Sequence, residues 1–323
     1  MSLTVSPGTF QNAGYLIPEV WSPRLLFELY EQTTFADISN TDYEGEIRNV
    51  GDTVWIRGLP AITTSLVPKN AEIPVQIPET PRTQLTLDYR RMFNWFIDDE
   101  DRARSDINVM TEWTAHGGKK LGEDAERIDI YPNLIGQVGV TMQGNSAGRI
   151  SGTYRLGALG ATANHVGLTT GASGTANRRN VLDFIADLRV VCSENNVPEE
   201  DTYIVIPNWM SGMIKRSDLA NANYSGDGTS IFRNGLLGEL DRFKVYRSNQ
   251  LPTAVDNSQR VHYVYFGHKK AVTAAMDLSW SRVIEDAKYA GKFAQSALVH
   301  GFKCIKGEAF GRAIVRPAIS ADT

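Results

Sequence analysis

Hydrophobic positions along the chain keep two different periods, and these divide it into segments. In RNVGDTVWIRG, Val50, Val54 and Ile56 fall on one face at period two, which predicts a strand. In QLTLDYRRMFNWFID, residues Leu85, Leu87, Tyr89, Phe93, Trp95 and Ile97 share one face, and only Arg91 breaks the row. This alternation predicts one strand of about 13 residues, roughly 40 Å long at ~3.3 Å per residue. From Ser105 the apolar positions move to spacings of three and four: Ile107, Met110, Trp113, Gly117, Leu121, Ala125 and Ile128. They predict a long helix over 105–131, ended before Pro132, with a bend or close packing at Gly117–Gly118.

The two strands flank GLPAITTSLVPKNAEIPVQIPETP, which holds five of the chain's 13 prolines: Pro60, Pro68, Pro74, Pro78 and Pro81. Structureless connections beyond ~15 residues are uncommon unless functional or disordered. Here Ile73, Val75 and Ile77 alternate with Pro74, Gln76 and Pro78. The proline rings fix φ, so the segment reads as a semi-rigid extended arm. Such an arm cannot pack a core of its own. Its apolar side chains need a surface supplied by something else, and a neighbouring subunit is the simplest candidate.

The rest of the chain alternates in character. Residues 1–17 are polar and unpatterned, and SPRLLFELYEQT predicts a short helix capped by Ser22. Residues 136–177 hold ten glycines and no Asp, Glu or Lys, so they form loops with short strands or a partly mobile insertion. In NVLDFIADLRVVCSENN, Asn180 caps a helix whose buried stripe is Val181, Ile185, Leu188 and Val191 or Cys192. The strand TYIVIP and a short helix in PNWMSGMIKR follow, giving an α/β unit at about 178–255. The last third returns to strands: VHYVYFG, KAVTAAM, WSRVIED, ALVHGFKCIKG and AFGRAIV. A strand set that closes onto its own beginning predicts a discontinuous domain with an insertion.

Composition narrows the class. The 323 residues are 42% apolar and 22% charged, an ordinary globular balance. The net charge of -4 and pI near 5.8 disfavour sequence-specific DNA binding. Cys192 and Cys304 lie in apolar surroundings without C-x-x-C spacing, which suits a reducing compartment better than a disulfide. The first residues have no signal-peptide pattern, and no run approaches the ~18 apolar residues of a membrane span.

Candidate chemistry is sparse. GNSAG at 144–148 matches a G-x-S-x-G nucleophile elbow around Ser146, with a tolerable strand before it (Val138, Val140, Met142) but a glycine-rich, uncapped stretch after it. A turn explains it better. The acidic run Asp98–Asp101 is explained by helix capping rather than metal binding. Glu123, Asp124, Glu126 and Asp129, interleaved with Arg127 and Lys119–Lys120, read as a solvated or inter-subunit charged face. His116, His165, His262, His268 and His300 have no ligand spacing, and there is no phosphate-binding glycine loop. No enzyme class and no cofactor is supported.

One stretch is more specific. FRNGLLGELDRFKVYRSNQLP, 232–252, resembles the pattern of tailed-bacteriophage major capsid proteins with the Hong Kong 97-like fold, through Gly235, Gly238, Leu240, Val245, Ser248, Leu251 and Pro252. Arg242 stands where that family often has glycine, so the turn before Phe243 is expected to differ. The element order agrees from about residue 20 to 317.

The resemblance implies an α+β fold with an N-terminal arm and short helix (1–45) and an extended β-hairpin loop, the E-loop (46–98). It implies a peripheral domain with the spine helix and glycine-rich insertion (99–177 and 256–323), and an axial domain (178–255). It further implies a non-enzymatic major capsid protein that assembles into hexamers and pentamers of an icosahedral phage head around double-stranded DNA. Candidate inter-subunit contacts are Trp55, Arg57, Lys69, Glu72, Ile73, Val75, Ile77, Arg82, Asp99, Arg102 and Arg127. Expected partners are other copies of the chain, a portal protein, a separate scaffolding protein, a decoration or cement protein, and packaged DNA held non-specifically. The expected location is the virion, after assembly in the host bacterial cytoplasm. Some members weld a loop lysine to an asparagine; Lys69 is available, but no asparagine follows Asn257. An encapsulin-type nanocompartment shell shares the fold, but the proline-bearing residues 1–17 do not suit its opening helix.

Overall fold

A computed structural model of the chain describes residues 33–42, 53–100, 109–160, 163–168, 178–217, 238–285 and 290–318. The helix expected after Ser22, and Val50, Asp101, Arg102 and Ile107, lie outside these residues. A single helical turn, α1 (Phe35–Ile38), comes first. Strands β1 (Thr53–Arg57) and β2 (Arg82–Thr86) then pair antiparallel, from Thr53↔Thr86 to Arg57↔Arg82. Val54 and Ile56 share the inward face of β1, as the period-two pattern predicts.

The strand expected over 85–97 is two strands. β2 pairs with β1, whereas β3 (Tyr89–Asp98) pairs along its whole length with a later strand. The break falls at Leu87–Asp88, where the chain crosses closely over Gly301. A Cβ at Gly301 would lie 2.0 Å from the Thr86 carbonyl oxygen. Leu85 and Leu87 are both buried, so the alternation runs through the break. Periodicity reports which face is covered, not which strand supplies the hydrogen bonds.

The long helix is α2 (Val109–Asp124), followed by a π-helical turn (Ala125–Ile130) and α3 (Tyr131–Leu134). A π turn adds a residue and rotates the face presented to the core. The expected stripe is kept at Leu121 and Ala125, but Ile128 is left 47% exposed while Ile130, Tyr131 and Leu134 are buried. The helix also continues past Pro132, which sits in the first turn of α3, where a missing N–H is tolerated. The close packing expected at the paired glycines is present at Gly117, where a Cβ would lie 2.7 Å from the Phe93 ring. At Gly118 there is open space.

Beyond this come β4 (Asn164–Gly167), β5 (Arg178–Asn180), α4 (Val181–Glu194), β6 (Thr202–Ile206) and α5 (Asn208–Arg216). The Asn180 side chain caps α4 by accepting from Leu182 N at 2.9 Å. Then follow β7 (Glu239–Leu240), β8 (Phe243–Arg247), β9 (Thr253–Asp256), β10 (Gln259–His268), β11 (Val272–Glu285), β12 (Gly291–Cys304) and β13 (Phe310–Pro317). The two strands expected at 270–286 are one, β11, whose pairing with β12 shifts register between Asp277 and Trp280.

Two larger sheets organise the molecule. Eight strands form a mixed sheet in the order β5-β4-β13-β10-β6-β8-β7, with β9 on β10. Helix α4 packs on it through Phe184, Ile185, Leu188 and Cys192, all buried. A three-stranded antiparallel sheet, β11-β12-β3, carries α2. The β7–β8 turn holds Asp241 and Arg242 at φ 48° and 62°. Both are left-handed, as a two-residue type I′ hairpin requires. Arg242 therefore adopts the left-handed conformation a glycine takes most readily.

Candidate subunit interface

Residues 58–81 form a two-limbed finger. At its base Gly58 N donates to Pro81 O at 2.8 Å. Partway out, Gln76 Nε2 donates to Thr63 O at 2.6 Å and Thr63 N donates to Gln76 Oε1 at 3.2 Å. At the tip Ala71 N donates to Pro68 O at 3.2 Å, and Asn70 sits at φ 69°. A turn with positive φ at its third position favours glycine or asparagine there.

None of these residues is buried. Ile73, Val75 and Ile77 are 74–90% exposed on the returning limb, as are Leu59, Ile62 and Leu66 (74–101%) on the outgoing limb. The outgoing three were not among the sequence candidates. Their apolar spacing between prolines was the signal that could have found them. Among the described residues the finger is held at its root, by a small core of Ile56, Leu85, Leu87, Ala275 and Val299.

The other candidates are distributed unevenly. Trp55 is 57% exposed on the outer face of β1, and Arg57 and Arg82 form the last pair of the β1–β2 ladder. Lys69 and Glu72 flank the tip turn, both exposed. Asp99 lies at the end of β3 away from the finger, just after Asp98, whose Oδ1 accepts from Glu100 N at 2.9 Å. Arg127 is exposed beside a separate cavity described below. The structure thus brings together the finger residues and places Asp99 and Arg127 elsewhere.

The charged face expected along the helix is partly internal. Glu126, turned inward by the π turn, is 2% exposed. It accepts from Thr34 N at 3.0 Å, Thr34 Oγ1 at 2.8 Å and Phe35 N at 3.1 Å, pinning the segment before α1 to the spine. Burial raises its carboxyl above the ordinary 4.5, against the opposing effect of Thr34. Arg91, the residue that broke the alternation, makes a bidentate pair with Asp129 at 2.5 and 2.8 Å. His300 Nε2 lies 3.2 Å from the same carboxylate, and burial pushes the imidazole below its ordinary 6.5. Lys120 bridges Glu123 and Asp124 at 3.2 and 3.3 Å; the Lys120 side chain is exposed, whereas both carboxylates are partly covered.

A groove of about 860 Å³ opens between β3 and α2. Met92 (52% exposed) and the edge-packed Trp95 and Trp113, 5.2 Å apart, form its apolar side.

Ser146 does not stand on a nucleophile elbow. Val140–Met142 is a 3₁₀ turn rather than the strand considered tolerable, and residues 145–160 contain no helix. Both cysteines are free; burial pushes Cys192 up to about 12 and Cys304 up to about 11. Among the described residues no three His, Cys, Asp or Glu side chains gather as a metal site, and no helix is long and apolar enough to cross a membrane.

No family model matches this sequence, and no curated protein does. Solved structures do match. A chain from Mycobacterium phage Che8 aligns over 93% of this chain and 97% of its own, at 21% identity and a TM-score of 0.67. A capsid structure of the cyanophage P-SCSP1u aligns over 94% of each chain, at 17% identity and a TM-score of 0.60. The mature capsid of bacteriophage PhiM1 aligns over 94% and 93%, at 11% identity and a TM-score of 0.63. The α+β fold of this chain is the fold seen in these phage capsid structures.

Proposed function

We propose that this chain, folded as phage capsid subunits are, is a major capsid protein whose finger completes its packing on a neighbouring copy. The observation that carries the reading is the finger itself: six large apolar side chains, all at least 74% exposed, on a proline-stiffened hairpin without a core. Full burial of such a side chain contributes about 1.5–3 kcal/mol. Repeated over every copy in a shell, even partial cover adds up to a strong association.

In this reading the subunits form hexamers and pentamers of an icosahedral head in the virion, around double-stranded DNA held without sequence readout. Assembly takes place in the host cytoplasm, with a portal, a separate scaffolding protein and a decoration protein as partners. The eight-stranded sheet with α4 and α5 centres on the axial domain (178–255). The spine helix with β11 and β12 belongs to the peripheral domain (99–177 and 256–323), and their sheet is completed by β3 from the end of the extended loop (46–98). A stiff finger suits this work because it can reach across a neighbour while the angle between subunit bodies varies. No step of the role requires catalysis.

Electron microscopy and sedimentation of the purified chain test the reading. Closed shells are expected from the full chain. A variant lacking residues 62–80 should remain folded, with its melting temperature within a few degrees, and lose shell yield at least tenfold. Single chains under all conditions, or normal shells from the deletion variant, would overturn the proposal.

A further inference from the structure

A second cavity, of about 640 Å³, lies where the π turn and α3 meet the start of α5 and the loop 248–252. It belongs to the stretch whose sequence carries the capsid resemblance, since Ser248, Leu251 and Pro252 line it. Three features of it remain unexplained by the packing of one chain.

The first is Gln250. It is 1% exposed, yet neither its Oε1 nor its Nε2 has a hydrogen-bond partner. Its backbone is held firmly, because Gln250 N donates to Ser248 Oγ at 3.0 Å and Ser248 N donates to Ile206 O at 3.1 Å. A buried, unpaired amide is costly, and native structures rarely keep one without reason. The Trp209 indole N–H, also on this cavity, lacks an acceptor too.

The second is the start of α5. Pro207 occupies its N-cap position and offers no side-chain acceptor. Met210 N donates to Pro207 O at 3.0 Å, so the N–H groups of Asn208 and Trp209 and the positive end of the helix dipole are what remains open to an anion. The third is charge. Arg127 and Arg260 both line the cavity and are exposed, and among the described residues no carboxylate pairs with either. The rim of the site thus carries two exposed guanidinium groups, beside a buried amide that its own chain leaves unpaired.

We propose that this cavity receives the Glu72–Glu79 limb of the finger from a second copy of the chain; the inference rests on the capsid reading above. That limb supplies what the cavity lacks. Glu72 and Glu79 are exposed and make no ion pair among the described residues, and each can meet a guanidinium or the helix start. The limb is extended; the Gln76–Thr63 link uses the Gln76 side chain, and among the described residues the backbone groups between residues 72 and 80 make no hydrogen bond. Its Ile and Pro side chains match Leu251 and Pro252 on the cavity wall. Charge complementarity sets the position, because charged groups at an interface fix register more than they add affinity.

Reversal of charge in the full chain tests this. Arg127→Glu with Arg260→Glu should lower shell yield at least tenfold without unfolding the subunit, since both side chains are exposed. Adding Glu72→Lys and Glu79→Lys should restore yield to within about threefold of the parent. A second readout uses Glu72→Cys with Asn249→Cys: assembled, oxidised material should run as covalent multimers on a non-reducing gel. Glu72→Cys with Met92→Cys, in the aromatic groove, should not cross-link. Shells that form normally in the Arg127→Glu, Arg260→Glu variant, failure of the Lys pair to rescue, or cross-linking only at Met92 would overturn the cavity assignment while leaving the capsid reading standing. A DNA-packaging defect with normal shells would also overturn it. A chain that forms no shells at all would overturn both.

Discussion

Strand β6 and the returning limb of the finger each carry two isoleucines and a valine, and these meet opposite fates. TYIVI in β6 is buried throughout, with Ile204, Val205 and Ile206 all at 0% exposed. IPVQI in the finger leaves Ile73, Val75 and Ile77 at 74–90% exposed. What separates them is company. β6 lies between β10 and β8 with α4 packed on the sheet, so every backbone group and both faces are covered. The finger's prolines remove donors and prevent it from joining a central sheet position. Apolar sequence alone therefore does not decide whether a residue stabilises the subunit or its association.

The sharpest way to break the comparison is a matched pair of truncations. Ile204→Ala should cost about 2–5 kcal/mol of subunit stability, the range for large-to-small changes in a packed core. Ile77→Ala should change it by less than ~0.5 kcal/mol, as surface substitutions do, while lowering shell yield. Denaturant titration of both variants checks this. Equal destabilisation would show that the finger is covered within its own chain.

A smaller effect concerns the root of the N-terminal segment. Glu126→Ala leaves the Thr34 and Phe35 donors unpaired and should cost about 1–3 kcal/mol. Glu126→Gln separates the charge from the contact. Because burial raises the Glu126 pKa, the folded chain binds its proton more tightly than the unfolded chain. That contribution is full below about the ordinary 4.5 and is lost as pH rises through the raised folded value. The Gln variant should therefore gain stability relative to the parent between pH 4 and 7, measured as the difference in melting temperature at each pH. A gap independent of pH would contradict this.

The smallest effect is at the β7–β8 turn. Arg242→Gly removes a side chain from a left-handed position and should stabilise the subunit by about 0.5–1 kcal/mol. The lost pair with Glu199 is exposed on both sides and offsets little of this.

The sequence conveyed much of this design. The alternation in β1 to β3, the Asn180 cap, the helix period and the proline-rich arm all follow from local rules. What it could not convey depended on contacts between distant segments. The split between β2 and β3 comes from the crossing at Gly301, more than 200 residues away. The π turn, and with it the inward rotation of Glu126, is fixed by Thr34 and Phe35. Nothing local to Arg242 announces its left-handed conformation, which the pairing of β7 with β8 imposes. The cavity at Gln250 assembles Arg127, Trp209 and Arg260 from separate elements, so no spacing in the sequence announces it.

The central claim is that the finger is bare on the single subunit and covered in the assembly. Thiol labelling of Ile77→Cys measures this directly. The native cysteines give little background, because burial pushes Cys192 up to about 12 and Cys304 up to about 11 and so keeps both as thiols. Dissociated subunits should label at the rate of a free thiol, and assembled shells at least tenfold more slowly. Equal rates in the two states would contradict the account.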